Sequence, residues 1–407
     1  MTTFGRSMLI VMLAIISFLM VLAIRDCNSQ SPVQIAIGKD AGLADKLSDF
    51  IKVCSTIQEL YIEERPCSKL IDTAMRGMTV DLDVYSNIYI GTEEVRKVLN
   101  ITDGKKYMGV GIEMVVIGSE TFITEVLENH PVASTGIKPG DEILEINGTN
   151  IRGMSFDDIS NLIVGEAGTS VNFRIRSRRS RRVETYLLPR RVINVNSVAY
   201  KAINDDYSYI KIRDFSEKSA TEFYNLMANA KDKSGLIMDL RNNLGGLIVP
   251  TVDIVGFFIG PDQLVITSKG RTDVNLDWKT SSSLTAGQYP KKIIILTNRY
   301  SASASEIMVG SLKHYGLVTV IGERTYGKGV YQRLIDISNQ GRLPDKNTNL
   351  ILSLTVGHYY LPDGTDIHKV GIKPDIEIRQ PQDFRAYEYL TEKDAQFQAA
   401  LDFLRKK

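Results

Sequence analysis

The run Ser-Gly-Leu-Ile-Met-Asp-Leu-Arg at residues 234–241 constrains the fold most, because it leads into Asn242-Asn243-Leu244-Gly245-Gly246 and then an apolar stretch over residues 252–259. A run that is apolar without alternation and ends in charge reads as a buried strand leaving a sheet. Asn and Gly tolerate positive φ and close backbone approach, so the chain is expected to turn sharply after it. The apolar stretch beyond suits a helix. Strands and helices alternate in this way over residues 195–380, which predicts an α/β core. The glycines read as an ordinary strand-to-helix turn, and a turn of this kind also aims a backbone N–H at a developing oxyanion.

Two later runs carry the chemistry. Ser301-Ala302-Ser303-Ala304-Ser305-Glu306 places a hydroxyl at the mouth of a helix expected over 304–315, with Gly316 as its stop. Gly327-Lys328-Gly329-Val330-Tyr331-Gln332 places a lysine between two glycines. Nucleophilic catalysis needs a weak nucleophile, a base to activate it and a group to orient the base. Ser303, Lys328 and Gln332 are of the types required. Taken alone, Ser303 to Glu306 is also a capping box, and a lysine between glycines is also a solvated turn. As a base, lysine has to be neutral. Bringing its pKa from about 10.4 to about 7 takes roughly 4–5 kcal/mol of bias against the charged form, which burial supplies.

The ordered set Asp239-Leu-Arg-Asn-Asn-Leu-Gly-Gly246, Ser-Ala-Ser-Ala-Ser-Glu306 and Gly-Lys-Gly-Val-Tyr-Gln332 resembles the C-terminal processing peptidases, or tail-specific proteases. Tyr209-Ile-Lys-Ile-Arg-Asp-Phe215, Pro362-Asp363-Gly364 and Gly371-Ile-Lys-Pro-Asp375 extend the match, which covers roughly residues 40–404. The resemblance implies Ser303 as nucleophile, Lys328 as base and Gln332 as its orienting partner, with oxyanion N–H groups from Gly246 and Ala304. It implies a serine endopeptidase acting on proteins or peptides with exposed C-termini. A catalytically silent PDZ scaffold is the alternative, and the intact Ser303, Lys328 and Gln332 set argues against it.

Residues 106–190 resemble a PDZ domain. Gly109-Val110-Gly111-Ile112 matches its carboxylate-binding loop, and residues 132–144 with Ile146-Asn147-Gly148 match its central pattern. A peptide would add there as a strand, with its terminal carboxylate held by loop N–H groups and a helix from Asp157 to Ile163 lining the groove. The likeness departs at Val164, where relatives commonly carry a basic residue, so a switch using that charge is not carried over.

Other chemistries are poorly supplied. His130, His314, His358 and His368 are scattered without metal spacing, and no metal or cofactor is expected. Ser208 to Lys211 has the S-x-x-K form, but in a strand those side chains face opposite sides. A net charge of +1 gives no general pull toward nucleic acid.

The expected organisation is α+β and multidomain. It comprises a membrane anchor or signal segment (1–27), a helical N-terminal segment (40–105) and the PDZ domain (106–190). An α/β protease core with a mixed sheet (191–380) and a C-terminal helical segment (381–407) follow. Residues 8–24 are apolar but for Ser17 and follow Arg6, which favours an uncleaved anchor with the catalytic body outside the cytoplasm. Leu43, Leu47, Phe50, Ile51, Cys54, Ile57 and Leu60 recur at helical spacing. That stripe suits a homodimer contact or packing on a neighbouring domain. Cys54 and Cys67 are candidates to pair in an oxidising compartment. Arg174, Arg176, Arg178, Arg179, Arg181, Arg182 and Arg190 crowd an expected hairpin, either as a solvated turn or as a contact for anionic lipid headgroups.

Overall fold

The computed structural model describes residues 42–102, 106–271, 275–338, 343–345 and 347–406. Two compact units divide the chain between Asp81 and Leu82. Within the first, α1 (Leu43–Leu60) and α2 (Cys67–Val80) form a helical hairpin. Cys54 is buried and, like Cys67, is a free thiol; hydrogen bonding with Cys67 and then burial push the Cys54 thiol up. The expected membrane span at residues 8–24 lies outside the described residues. Among those described, no helix is long and apolar enough to cross a membrane.

The second unit opens on β1 (Asn87–Ile90) and α3 (Thr92–Thr102). Both fall inside the expected N-terminal helical segment of residues 40–105, yet β1 is an edge strand of a protease-core sheet. Its Asn-Ile-Tyr-Ile sequence is too short to show a strand period by itself.

The PDZ domain follows as β2 (Lys106–Gly109), β3 (Ile112–Ile117), β4 (Glu120–Val126), β5 (Glu142–Ile146), β6 (Thr149–Asn150), α4 (Phe156–Ile163), β7 (Ser170–Arg176), β8 (Val183–Pro189) and β9 (Arg191–Asn194). Strands β3, β4, β5, β7 and β8 are neighbours in that order, and β9 returns to pair with β2. Alternate residues of β7, Val171, Phe173 and Ile175, point into the core with Ile123, Ile146 and Ile159. Ser155 caps α4 by accepting from Asp158 N at 3.2 Å. At its other end the buried Arg190 guanidinium donates to the carbonyls of Ile163 (2.6 Å) and Leu162 (3.1 Å). Much of the arginine crowding is spent this way: Arg174, Arg176 and Arg178 pair with Glu145, Glu142 and Glu388.

The main sheet of the protease core orders β10 (Val198–Ala202), β11 (Tyr207–Ile212), β12 (Gly235–Asp239), β15 (Lys292–Thr297), β16 (Thr319–Gly322) and β19 (Ile376–Glu377), all parallel after the β10–β11 pair. Helices α5 (Ser219–Met227), α6 (Ile248–Ile259) and α7 (Ala304–His314) join these strands. Leu236 and Met238 pack in the cluster that holds these helices, whereas Ile237 packs with Phe397, Leu401 and Leu404 of α8 (Ala395–Arg405). Both faces of β12 are covered, which is why its sequence is apolar without alternation. A second sheet is built on the long β18 (Leu350–Tyr360), which pairs with β1, β13 (Leu264–Gly270) and β17 (Val330–Asp336), with β14 (Leu276–Lys279) beyond β13.

Candidate active site

The turn after β12 and the turn after β15 are fastened together. Asn243 is fully buried; its Nδ2 donates to the Ile212 carbonyl (2.9 Å), and its Oδ1 accepts from Gly245 N (2.8 Å). Its own carbonyl accepts from Ala302 N (3.0 Å) and from the Ser305 hydroxyl (2.9 Å). Across the same gap, Asn298 Oδ1 accepts from the Asn242 backbone N–H (3.0 Å) and Asn298 Nδ2 donates to Asn242 Oδ1 (2.8 Å). Gly245, at φ +104, lies against the Ser303 backbone, and a Cβ there would sit 2.8 Å from Ser303 Cβ. Gly246, at φ +148, runs beside Phe215, whose carbonyl a Cβ would meet at 2.4 Å. A side chain fits at neither position.

Ser303 itself has φ 57 and ψ −117, a conformation that costs a residue with a Cβ about 1–3 kcal/mol and that the surroundings have to enforce. It is half-buried at the N-terminus of α7. The adjacent Ala304 N–H is left unbonded by the helix start, and among the described residues neither it nor the Gly246 N–H has a hydrogen-bond acceptor. By contrast, the Gly245 N–H is already spent on Asn243.

One carboxylate spans nucleophile turn and lysine loop. Glu306, fully buried, accepts from Ser303 N (2.9 Å), the Thr325 hydroxyl (2.6 Å), Gly327 N (2.7 Å) and Lys328 N (2.8 Å). Burial pushes this carboxyl up, and the four bonds oppose that shift. The Tyr359 hydroxyl lies against the carbonyls of both Ser303 (3.2 Å) and Lys328. Ser303 and Lys328, 25 residues apart in sequence, therefore have their backbones held by the same two side chains.

The lysine ends in a shielded setting. Its Nζ donates to Gln332 Oε1 at 2.7 Å and stands 4.9 Å from the centre of the Tyr85 ring. Burial lowers its pKa from the ordinary lysine value, while the carboxylates of Asp83 and Glu306 work against that shift. The Gly245–Gly246 turn, the Ser303–Ala304 turn and the Lys328 loop are thus tied together through Asn243 and Glu306, with Gln332 on the lysine amine. The loop Gly109-Val110-Gly111-Ile112 lies elsewhere, in the PDZ domain: Val110 and Ile112 are core residues, and Gly111, at φ +90, passes too close to His130 for a side chain. Beside it, β3 is the end strand of its sheet, with α4 in the same domain.

Of the histidines, His368 borders the lysine loop, taking a long bond from Gly329 N (3.4 Å). His314 is exposed at the far end of α7. No group of three or more metal-ligating side chains occurs among the described residues. Ser208 is buried against Tyr200, whereas Lys211 bonds the Arg241 carbonyl, so the S-x-x-K match makes no pair. Sequence reading missed Asp83, Tyr85, Thr325, Thr355 and Tyr359, and saw Glu306 only as a cap.

A PDZ domain joined to a parallel-sheet core with a strained serine at a helix N-terminus defines a class of PDZ-bearing peptidases. The sequence pattern of peptidase family S41 matches residues 206–378, and that of the PDZ domain residues 98–176. The carboxyl-terminal-processing protease of Synechocystis sp. is 30% identical over 359 residues, covering 86% of this chain and 80% of that protein. The carboxy-terminal-processing protease of Bartonella bacilliformis is 29% identical over 342 residues, covering 83% and 76%. A putative S41 protease from Bacteroides fragilis shares the fold at a TM-score of 0.59 and 18% identity, over 84% of this chain and 90% of that one. The chain belongs to peptidase family S41, among its carboxy-terminal processing proteases.

Proposed function

We propose that the chain is a serine endopeptidase in which Ser303 attacks the scissile carbonyl and Lys328 takes the serine proton. The observation that carries this reading is a half-buried lysine amine bonded to Gln332 on a loop that Glu306 locks to the Ser303 turn. A neutral lysine has two N–H donors and one lone pair. Because the Gln332 carbonyl takes one donor, the amine is fixed in rotation with its lone pair free for the Ser303 hydroxyl. The N–H groups of Gly246 and Ala304 would receive the oxyanion, favoured further by the α7 N-terminus. Lys328 then returns the proton to the leaving amine, and water hydrolyses the acyl-enzyme by the same route.

Substrates are protein or peptide chains with an accessible C-terminus, which adds as a strand to β3 while the Gly109 to Ile112 loop takes the carboxylate. Leu244, Tyr300 and Tyr326 are exposed on the segments that carry the site, which suits apolar side chains around the scissile bond. The anchor reading of residues 8–24 and a location outside the cytoplasm belong to the same proposal and rest on the sequence.

The test is cleavage of a peptide that ends in small apolar residues, supplied as free acid and as amide. Wild type should cleave the acid form with a KM several-fold lower than the amide, on the scale of one charge-assisted bond, and Ser303→Ala should cleave neither. Cleavage by Ser303→Ala removes the nucleophile. Peptide binding without cleavage by wild type would make the chain a binding scaffold.

A further inference from the structure

The Lys328–Gln332 pair does not end at Gln332. Its Nε2 donates to Thr355 Oγ1 at 3.0 Å, across the β17–β18 register in which Gln332 faces Thr355. The Thr355 side chain also faces the Asp83 carboxylate and helps to hold its pKa down. Asp83 lies in the loop just before β1, and β1 lies along β18 with Asn87 opposite Ser353, so that loop arrives beside Thr355. The carboxylate is held rigidly there: Oδ1 accepts from Tyr85 N and Ser86 N at 2.7 Å each, and Oδ2 accepts from the Ser86 hydroxyl at 3.1 Å. The Ser86 oxygen also accepts the Thr355 N–H at 3.1 Å, tying loop and strand a second time.

We propose that Thr355 and Asp83 are positioning residues of the lysine base, forming with Gln332 a chain whose direction is set by the acceptor-only carboxylate at its far end. This rests on the reading of Lys328 as base. An amide side chain can present either its oxygen or its NH2 to a neighbour. If the NH2 faced Lys328, it would donate to the neutral amine's lone pair and occupy the position that has to receive the Ser303 proton. Asp83 prevents that. A carboxylate accepts only, so the Thr355 hydroxyl has to donate to it. Thr355 Oγ1 then has lone pairs left and accepts from Nε2, which leaves Gln332 Oε1 facing the amine. Each step follows from the one before it.

Asp83 also acts through its charge. Facing the amine are Asp83 and Tyr85 from the loop before β1, Glu306 from α7, and Tyr326 beside Tyr85. His368, with His358 and Asp366 behind it, faces Tyr85 and feels Asp83. Burial pushes the Asp83 carboxyl up, but the bonds from Tyr85, Ser86 and Thr355 outweigh it and hold it below the ordinary carboxylate range, so it stays charged. That charge stabilises the protonated lysine and limits how far burial lowers its pKa. Removing the charge should therefore free the amine at lower pH.

Full-length Thr355→Val, Thr355→Ser and Asp83→Asn are compared with wild type and Lys328→Ala by kcat and KM across pH. In a Ser303→Ala background, the pH dependence of Lys328 acetylation by acetic anhydride, read by mass spectrometry, reports the amine directly. Thr355→Val should lower kcat about tenfold, the scale of one lost buried hydrogen bond, with KM within about twofold. Thr355→Ser should recover most of that loss. Asp83→Asn should move both the acid limb and the Lys328 titration about half a pH unit lower. Equal impairment by valine and serine, wild-type kcat in Thr355→Val, or an unmoved Lys328 titration in Asp83→Asn would overturn the proposal. If Lys328→Ala stays active, the base reading itself is what fails. If Lys328→Ala is inactive while Thr355→Val behaves as wild type, only the chain fails.

Discussion

The turn that carries Ser303 and the pocket that holds Lys328 are built on different plans. The nucleophile side comes from two short contiguous stretches, 242–246 and 298–306, at the ends of neighbouring parallel strands, with backbone and asparagine bonds closing the gap. Its geometry depends on what cannot be there: no Cβ fits at Gly245 or Gly246. The base side gathers Lys328 and Gln332 with Asp83, Tyr85 and Thr355 from strands and loops far apart in the chain, and its geometry depends on polar side chains that complete one another. One side is specified by sterics, the other by a hydrogen-bond network, and Glu306 is the member they share. Damage to the first should be abrupt, whereas damage to the second should be graded and pH-dependent.

Gly245→Ala tests the steric side and should have the larger effect. A methyl group there, at φ +104, meets Ala302 O, Ser303 Cβ and Ala304 N at 2.8–2.9 Å, so Ser303 and the Ala304 N–H have to move. Activity should fall roughly 10²–10³-fold, the scale of a displaced oxyanion donor, at every pH and with the fold retained by circular dichroism. A graded loss that varies with pH would erase the contrast between the two sides. Glu306→Gln tests the shared member. The amide keeps the shape but turns one acceptor oxygen into a donor against Ser303 N, Thr325, Gly327 N or Lys328 N. A loss of about 1–3 kcal/mol in urea unfolding and roughly tenfold in kcat is expected. A wild-type kcat in this variant would show that the two sides hold their positions independently.

The contrast also explains what could be read from sequence. Residues 234–246 are legible because strand, turn and helix follow one another locally, and both faces of β12 are covered. Ser303, Ala304, Lys328 and Gln332 sit in short runs whose residue types suggest their chemistry. Thr355 is one threonine in an eleven-residue strand, and Asp83 lies 245 residues before Lys328. Their roles come from the register of β1 and β17 on β18, which no local pattern states. β1, four residues long, is too short to show a strand period against the helical segment expected around it. Arg190 is the reverse case: it looked like part of a charged hairpin, yet it is buried and caps α4. Charge in a sequence does not say whether carbonyls wait to receive it.

The most direct test of the central claim is the rate at which a fluorophosphonate labels Ser303, followed across pH by mass spectrometry in wild type and Lys328→Arg. Burial lowers the Lys328 pKa from its ordinary value, and only the neutral amine accepts the serine proton. Labelling of wild type should therefore rise with pH and level off above a midpoint below the ordinary lysine value of about 10.4. Arginine keeps the charge but stays protonated throughout this range, so Lys328→Arg should label at least about 10²-fold more slowly, with no such midpoint. Wild-type labelling of Ser303 in Lys328→Arg would contradict the claim that Lys328 is the base.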